Sequence, residues 1–157
     1  MKDFSPLSKV WIYQSDRVLS ESELVFIKSN AEKFIADWTA HGKLLKAHLE
    51  IFYARFLVLF VDETQADASG CGIDKSLHFF QQLEGDLAIT LMNRQLVAYK
   101  ENGEVKTIAI SAFEKKLESG EITADTIVFN NLVTTKESFD SGWEIPLKNS
   151  WHSKMLV

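Results

Sequence analysis

Residues 56–61 read Phe-Leu-Val-Leu-Phe-Val, six apolar side chains in a row with no polar alternation. A run this short cannot cross a membrane, which takes about 20 residues, and its β-branched and aromatic content favours a strand. A strand that is apolar at odd and even positions alike has to be covered on both faces. The fold must therefore be built around a central strand here. Residues 46–52, Lys-Ala-His-Leu-Glu-Ile-Phe, alternate instead, with Ala47, Leu49 and Ile51 on one face and Lys46, His48 and Glu50 on the other, the pattern of a half-buried strand. Only Tyr53, Ala54 and Arg55 separate the two. That spacing predicts an antiparallel hairpin, although no glycine marks its turn.

Upstream, "VWIYQ" (residues 10–14) reads as another strand, and Ser20 with Glu23 forms a capping box flanked by the apolar staple Leu19/Leu24. Leu24, Ile27, Ala31, Phe34, Ile35 and Trp38 follow at helical spacing, with Gly42 as the expected stop. A polar loop from Thr64 to Gly72 leads to a second expected helix, roughly residues 73–84, with Leu77, Phe80 and Leu83 inward and Gly85 at its end. Asn102-Gly103 between two strand-like runs predicts a type I′ hairpin. Ser111 with Glu114 predicts a capped third helix ending at Gly120. "DTIVFNNLV" reads as a late strand, and the remainder through Trp143, Pro146 and Trp151 as irregular chain or a short strand with a docked tail. The order β-α-β-β-α implies an α+β fold with a split β-α-β core, an antiparallel or mixed sheet, and helices mainly on one face.

At 157 residues and 46% apolar content the chain is long enough for a core without disulfides or metal. One domain is expected, with a core over about 9–147 and a C-terminal tail at 148–157. The net charge is −5 and no basic run exceeds a pair, which argues against nucleic acid and anionic membranes. Phe52, Tyr53 and Phe56 on paired strands invite comparison with RNA-binding sheets, but the glycine-aromatic signature with its leading basic residue is absent. A single cysteine forms no internal disulfide, and residues 1–10 hold no apolar leader segment. A cytoplasmic protein without membrane insertion is expected.

The chemistry-bearing stretch is "SGCGIDKS", residues 69–76. Laid on the P-loop pattern G-x-x-x-x-G-K-[ST], it places Ser69 at the first glycine and Asp74 at the second, while Lys75-Ser76 fits. A carboxylate about 4 Å from a phosphate costs on the order of 4 kcal/mol at an effective dielectric of ~20, so ATP binding is not expected. Three other readings attach to the stretch. As a tight turn, it would have Asp74 as helix N-cap and Gly72 supplying a bend. As an anion- or ligand-binding loop, it would use the amides of Ser69, Gly70 and Gly72 with Lys75 and Ser76. As a reactive thiol, Cys71 would lie just before a helix N-terminus, with Asp74 and His78 one turn apart as orienter and base. Those three side chains offer a metal only a mixed, incomplete ligand set, and His41, His48 and His152 add no ligand pair. No metal and no cofactor are expected.

"WIYQSDRVLSESE", "WTAHGKLLKAHLEI", "VDETQADASGCGIDKSLHFFQQLE", "VFNNLVTTKE" and "SWHSKM" together resemble a family of small bacterial proteins from the Bacteroidetes group often labelled "ABC transporter ATPase". The resemblance covers nearly the whole chain and implies a nucleotide-binding loop. The substitution at Asp74 and the absence of an "LSGGQ"-like signature depart from that label. The expectation is a non-enzymatic domain that binds a protein or small-ligand partner; the second face of the Phe56–Val61 strand needs cover, from the C-terminal elements or from a second subunit in a homodimer. The alternative is a small enzyme or thiol sensor centred on Cys71, Asp74 and His78.

Overall fold

The computed structural model describes residues 3–40, 42–64 and 70–156, with backbone only at 40, 70 and 71. The elements run β1 (Lys9–Gln14), α1 (Glu21–Asp37), β2 (Thr39–Ala40), β3 (Lys43–Leu44), β4 (Lys46–Phe52), β5 (Phe56–Asp62), α2 (Gly70–Leu87), β6 (Leu96–Glu101), β7 (Glu104–Ala109), α3 (Ile110–Ser119), β8 (Ile127–Phe129), α4 (Lys136–Gly142) and β9 (Glu144–Pro146), followed by two short 3-10 turns. The fold is α+β with antiparallel sheets. The described chain groups into two compact units, Met1–Met92 with Thr134–Glu137, and Asn93–Val133 with Ser138–Val157.

The first unit holds a three-stranded sheet in the order β1-β5-β4. β5 is antiparallel to both neighbours, so β1 and β4 run parallel with β5 between them. That is the split β-α-β arrangement, α1 being the crossover. Every residue of β5 is buried. Leu57, Leu59 and Val61 join Ile27 of α1 and Phe80 and Leu83 of α2 in one apolar cluster. Phe56, Val58 and Phe60 are buried on the opposite face. The free edge of β1 is strapped by residues 134–136, where the Val10 N–H donates to the Thr134 carbonyl at 3.0 Å and the Lys136 N–H to that of Ser8 at 2.8 Å.

Local signals account for the first helix. The Ser20 hydroxyl accepts from the Glu23 N–H, and the Glu23 carboxylate accepts from the Ser20 N–H. Arg17 clamps the same carboxylate with two bonds of 2.8 and 2.7 Å. This arrangement holds the Glu23 carboxyl at about 2, with Arg17 the leading cause. Leu19 is in the core and Leu24 packs on it, as a staple should. The helix ends at Trp38 rather than at Gly42. Gly42 instead supplies a positive φ of 78° in the connection between β2 and β3, a small hairpin the amino-acid pattern did not announce.

Four further expectations are corrected. α2 begins at Gly70, not 73, and runs through Gly85 to Leu87, where Ala88 at φ 52° turns the chain. Leu77 is exposed while Phe80 and Leu83 are buried. α3 begins at Ile110 with Ala109 as N-cap and no side-chain cap, so Ser111 lies inside it; Gly120 does end it, at φ 82°. The late strand spans only Ile127–Phe129, and the stretch expected to be irregular or a short strand holds the short strand β9 and also a helix, α4, that was not expected.

The β4–β5 turn has a conformation few non-glycine residues adopt. Tyr53 and Ala54 sit at φ 56° and 50°, the left-handed pair of a type I′ turn. Bonds from the Leu19 N–H to the Ala54 carbonyl and from the Ser15 N–H to that of Arg55, both 2.8 Å, hold it. Left-handed backbone costs an L-residue about 1–2 kcal/mol, and glycine removes that cost while adding some unfolded-state freedom. Ala54→Gly should therefore stabilise the protein by about 0.5–1 kcal/mol in a urea melt, and Ala54→Val should destabilise it by at least as much. A loss of stability with glycine would show that the strain account of this turn is wrong.

The second unit pairs β7-β6-β8-β9 antiparallel. Asn102 and Gly103, at φ 53° and 80°, form the expected I′ turn. Val97, Tyr99, Phe113, Ile122, Val128 and Leu147 make its core. The tail docks here. His152 is buried, 5.8 Å from the Phe113 ring, with its Nδ1 2.7 Å from the Ser150 hydroxyl. Burial lowers its pKa from the usual 6.5 to about 4.

Candidate functional site

α1 and α2 run antiparallel over the same face of the first sheet. Phe34 stacks on Phe79 with ring centres 4.7 Å apart and planes 11° apart, and one turn along α1 the Trp38 Nε1 donates to the Gly72 carbonyl at 2.8 Å. That bond is buried and joins the C-terminal end of α1 to the first turn of α2. Tyr13 of β1 stacks on Phe80 at 3.7 Å and anchors α2 from beneath. Between the two helices, away from the sheet, lies a groove of about 560 Å³. Sites for small molecules are commonly 300–1,000 Å³ with an apolar lining and a few convergent polar groups.

The groove's apolar wall is Phe34, Trp38, Phe79 and Leu83. Its polar rim comes from Asn30, Lys33 and Asp37 on α1 and from Lys75, His78, Gln82 and Asp86 on α2. Helical geometry places them. Positions 30, 33, 34 and 37 fall on one side of α1, with Trp38 as its C-cap, and 75, 78, 79, 82, 83 and 86 on one side of α2, each series spaced by three and four residues. None of the rim charges makes an ion pair with another rim charge. They are solvated groups at a mouth.

The residues singled out in "SGCGIDKS" separate in three dimensions. Lys75 and His78 line the groove. Gly70, Cys71 and Gly72 are helical, so Cys71 lies inside α2 rather than before it. The Cys71 side chain and all of Ser69 lie outside the described residues. Gly72 supplies no turn; its carbonyl receives Trp38. Ser76 is buried and its hydroxyl donates to the Ile73 carbonyl at 2.7 Å, so it faces its own helix rather than a ligand. Asp74 is exposed, is the fifth residue of α2 and not its cap, and is not among the groove residues. No hydrogen bond joins Asp74 to His78. Among the described residues, no three His, Cys, Asp or Glu side chains converge on a point that could hold a metal ion, and no helix is long and apolar enough to cross a membrane.

The α1 half of the groove was not foreseen. Phe34 and Trp38 carry the periodicity of a core helix, and that reading hid their second role. The available signal was Lys33 and Asp37 interleaved with them: a charged residue directly before Phe34 places that ring, half-buried against the core, at its margin, while Trp38 is fully buried behind it. Compared with family models, curated proteins and solved structures, the chain matches none.

Proposed function

We propose that this chain is a non-enzymatic binding domain whose α1–α2 groove takes a small organic ligand. The observation that supports it is the groove itself: a rigid aromatic wall, pinned by the Trp38–Gly72 bond, under a rim of solvated polar side chains. Nothing in that rim has the mutual hydrogen bonding that a nucleophile, base and orienter require, which favours binding over catalysis. The lone cysteine, which forms no internal disulfide, fits a cytoplasmic location.

A neutral probe tests the groove without involving its charges. Titration with 1-naphthylmethanol should move backbone amide resonances within residues 30–38 and 75–86 and leave the second unit still. His78→Trp, at an exposed position, should fill the groove, weaken the probe at least tenfold, and shift the melting temperature by no more than about 2 °C, as surface substitutions do. Shifts scattered over the protein, or binding indifferent to His78→Trp, would contradict the proposal.

A further inference from the structure

The two edges of the three-stranded sheet differ. β1 is strapped by residues 134–136. β4 pairs with β5 alone, and among the described residues no backbone hydrogen bond reaches residues 46–51 from anywhere else. Alternate residues of such a strand turn their N–H and C=O groups outward. Proteins commonly disarm an open edge with a proline, a bulge or a very short strand. β4 has none of these: its seven residues hold no proline or glycine and stay in unbroken register with β5. Ala47, Leu49 and Ile51 pack on the core yet are only half-buried. Phe56, Val58 and Phe60 of β5 are already buried within the chain, so the unmet demand lies at the edge of this sheet and not on its second face.

We propose that β4 pairs antiparallel with β4 of a second copy of this chain, about a two-fold axis at Leu49, joining two three-stranded sheets into one. Leu49 is the middle residue of the strand, so the axis there matches its whole length. It sets Ala47 against the partner's Ile51, small against large, and Leu49 against the partner's Leu49. His48 then faces the partner's Glu50, and Glu50 the partner's His48. Within one chain these two side chains are already joined, Nε2 to Oε2, at 2.6 Å, so the symmetric contact lays two such pairs head to tail. Moving the axis to His48 would oppose two imidazoles, and moving it to Glu50 would oppose two carboxylates. Like groups directly opposite are unfavourable, so the edge is complementary to itself in one register. No residue of β4 lines the α1–α2 groove, and the dimer stands or falls apart from the ligand reading. A strand pair is smaller than a standard interface, so a dissociation constant of about 10–100 µM is expected.

Sedimentation of the full chain over a range of concentrations, with amide hydrogen exchange at its two ends, tests the pairing. The chain should pass from monomer to dimer, and alternate amides within residues 47–51 should exchange more slowly in the dimer. His48→Glu places carboxylates opposite one another at two symmetric contacts, each worth up to about fivefold, and should weaken the dimer at least fivefold. The swap His48→Glu/Glu50→His restores the opposition of unlike groups and should bring the affinity back to within about twofold. Both side chains are close to half exposed, at 42% and 48%, so the variants should fold. A chain that stays monomeric well above that concentration range would overturn the proposal. So would a dimer that ignores His48→Glu or that the swap does not restore, growth beyond a dimer, or slowed exchange confined to segments other than β4. Outward β4 amides already protected in the dilute monomer would show the edge covered within the chain, and would overturn it too.

Discussion

Trp38→Ala should destabilise the first unit by about 3–5 kcal/mol, the usual range for truncating a buried large aromatic. Trp38 is only 1% exposed and shares the core with Ile27, Leu45, Leu57 and Phe80. The substitution leaves a cavity among these and removes the 2.8 Å bond to the Gly72 carbonyl. Trp38→Phe separates the two contributions. It keeps much of the apolar volume and loses the bond, so it should cost about 1–2 kcal/mol. The same variant should loosen the first turn of α2, read as faster amide hydrogen exchange at residues following Gly72. Urea melts give the energies. A cost below about 1 kcal/mol for Trp38→Ala would mean that this tryptophan does not organise the helix pair.

The second large effect is acid-linked. His152 is 1% exposed and neutral in the fold, with its pKa lowered by burial to about 4. In the unfolded chain the same group takes up a proton near 6.5. The unfolded state therefore binds more protons between those values, and stability falls as pH drops through that window. Above about 6.5 the group contributes no pH dependence. Going down to pH 4 it should cost the second unit about 2–3 kcal/mol, at roughly 1.4 kcal/mol per pKa unit with solvent screening small at a buried ring. Carboxylates titrate in the lower part of this range as well. Asp62, which accepts backbone N–H groups from Ser5 and Thr64 and is held at about 2, loses its contribution on the acid side of its ordinary 3.8. The difference between the protein and His152→Phe isolates the histidine: the variant should lose the step between pH 6.5 and 4 and pay only a pH-independent cost for the stranded Ser150 hydroxyl. An unchanged pH profile in His152→Phe would show that the buried imidazole is not the cause.

Legibility followed the range of the forces involved. The capping box at Ser20 and Glu23, the Asn102-Gly103 turn and the doubly apolar Phe56–Val61 strand are local statements, and each has its expected partner in the fold. The start of α2 was not legible because Gly70, Cys71 and Gly72 are poor helix formers. Their helix is secured from outside, by an indole 34 residues away. Gly85 was read as a stop because glycine in mid-helix costs about 1 kcal/mol relative to alanine; the packing of Phe80 and Leu83 outweighs it and carries the helix on to Leu87. Tyr53 and Ala54 carry no turn signal of their own and are held in place by bonds from residues 15 and 19. At the site, Lys75 and His78 were legible because charge and imidazole beside a glycine-rich stretch invite chemical readings. Their partners on α1 were not, since only the antiparallel pairing of two helices brings Phe34 opposite Phe79.

Intermolecular nuclear Overhauser effects from bound 1-naphthylmethanol to the protein are the most direct measurement of where the ligand lies. The account predicts cross-peaks from the naphthyl protons to the ring protons of Phe34 and Phe79. Cross-peaks to residues of the second unit, with none to Phe34 or Phe79, would contradict it.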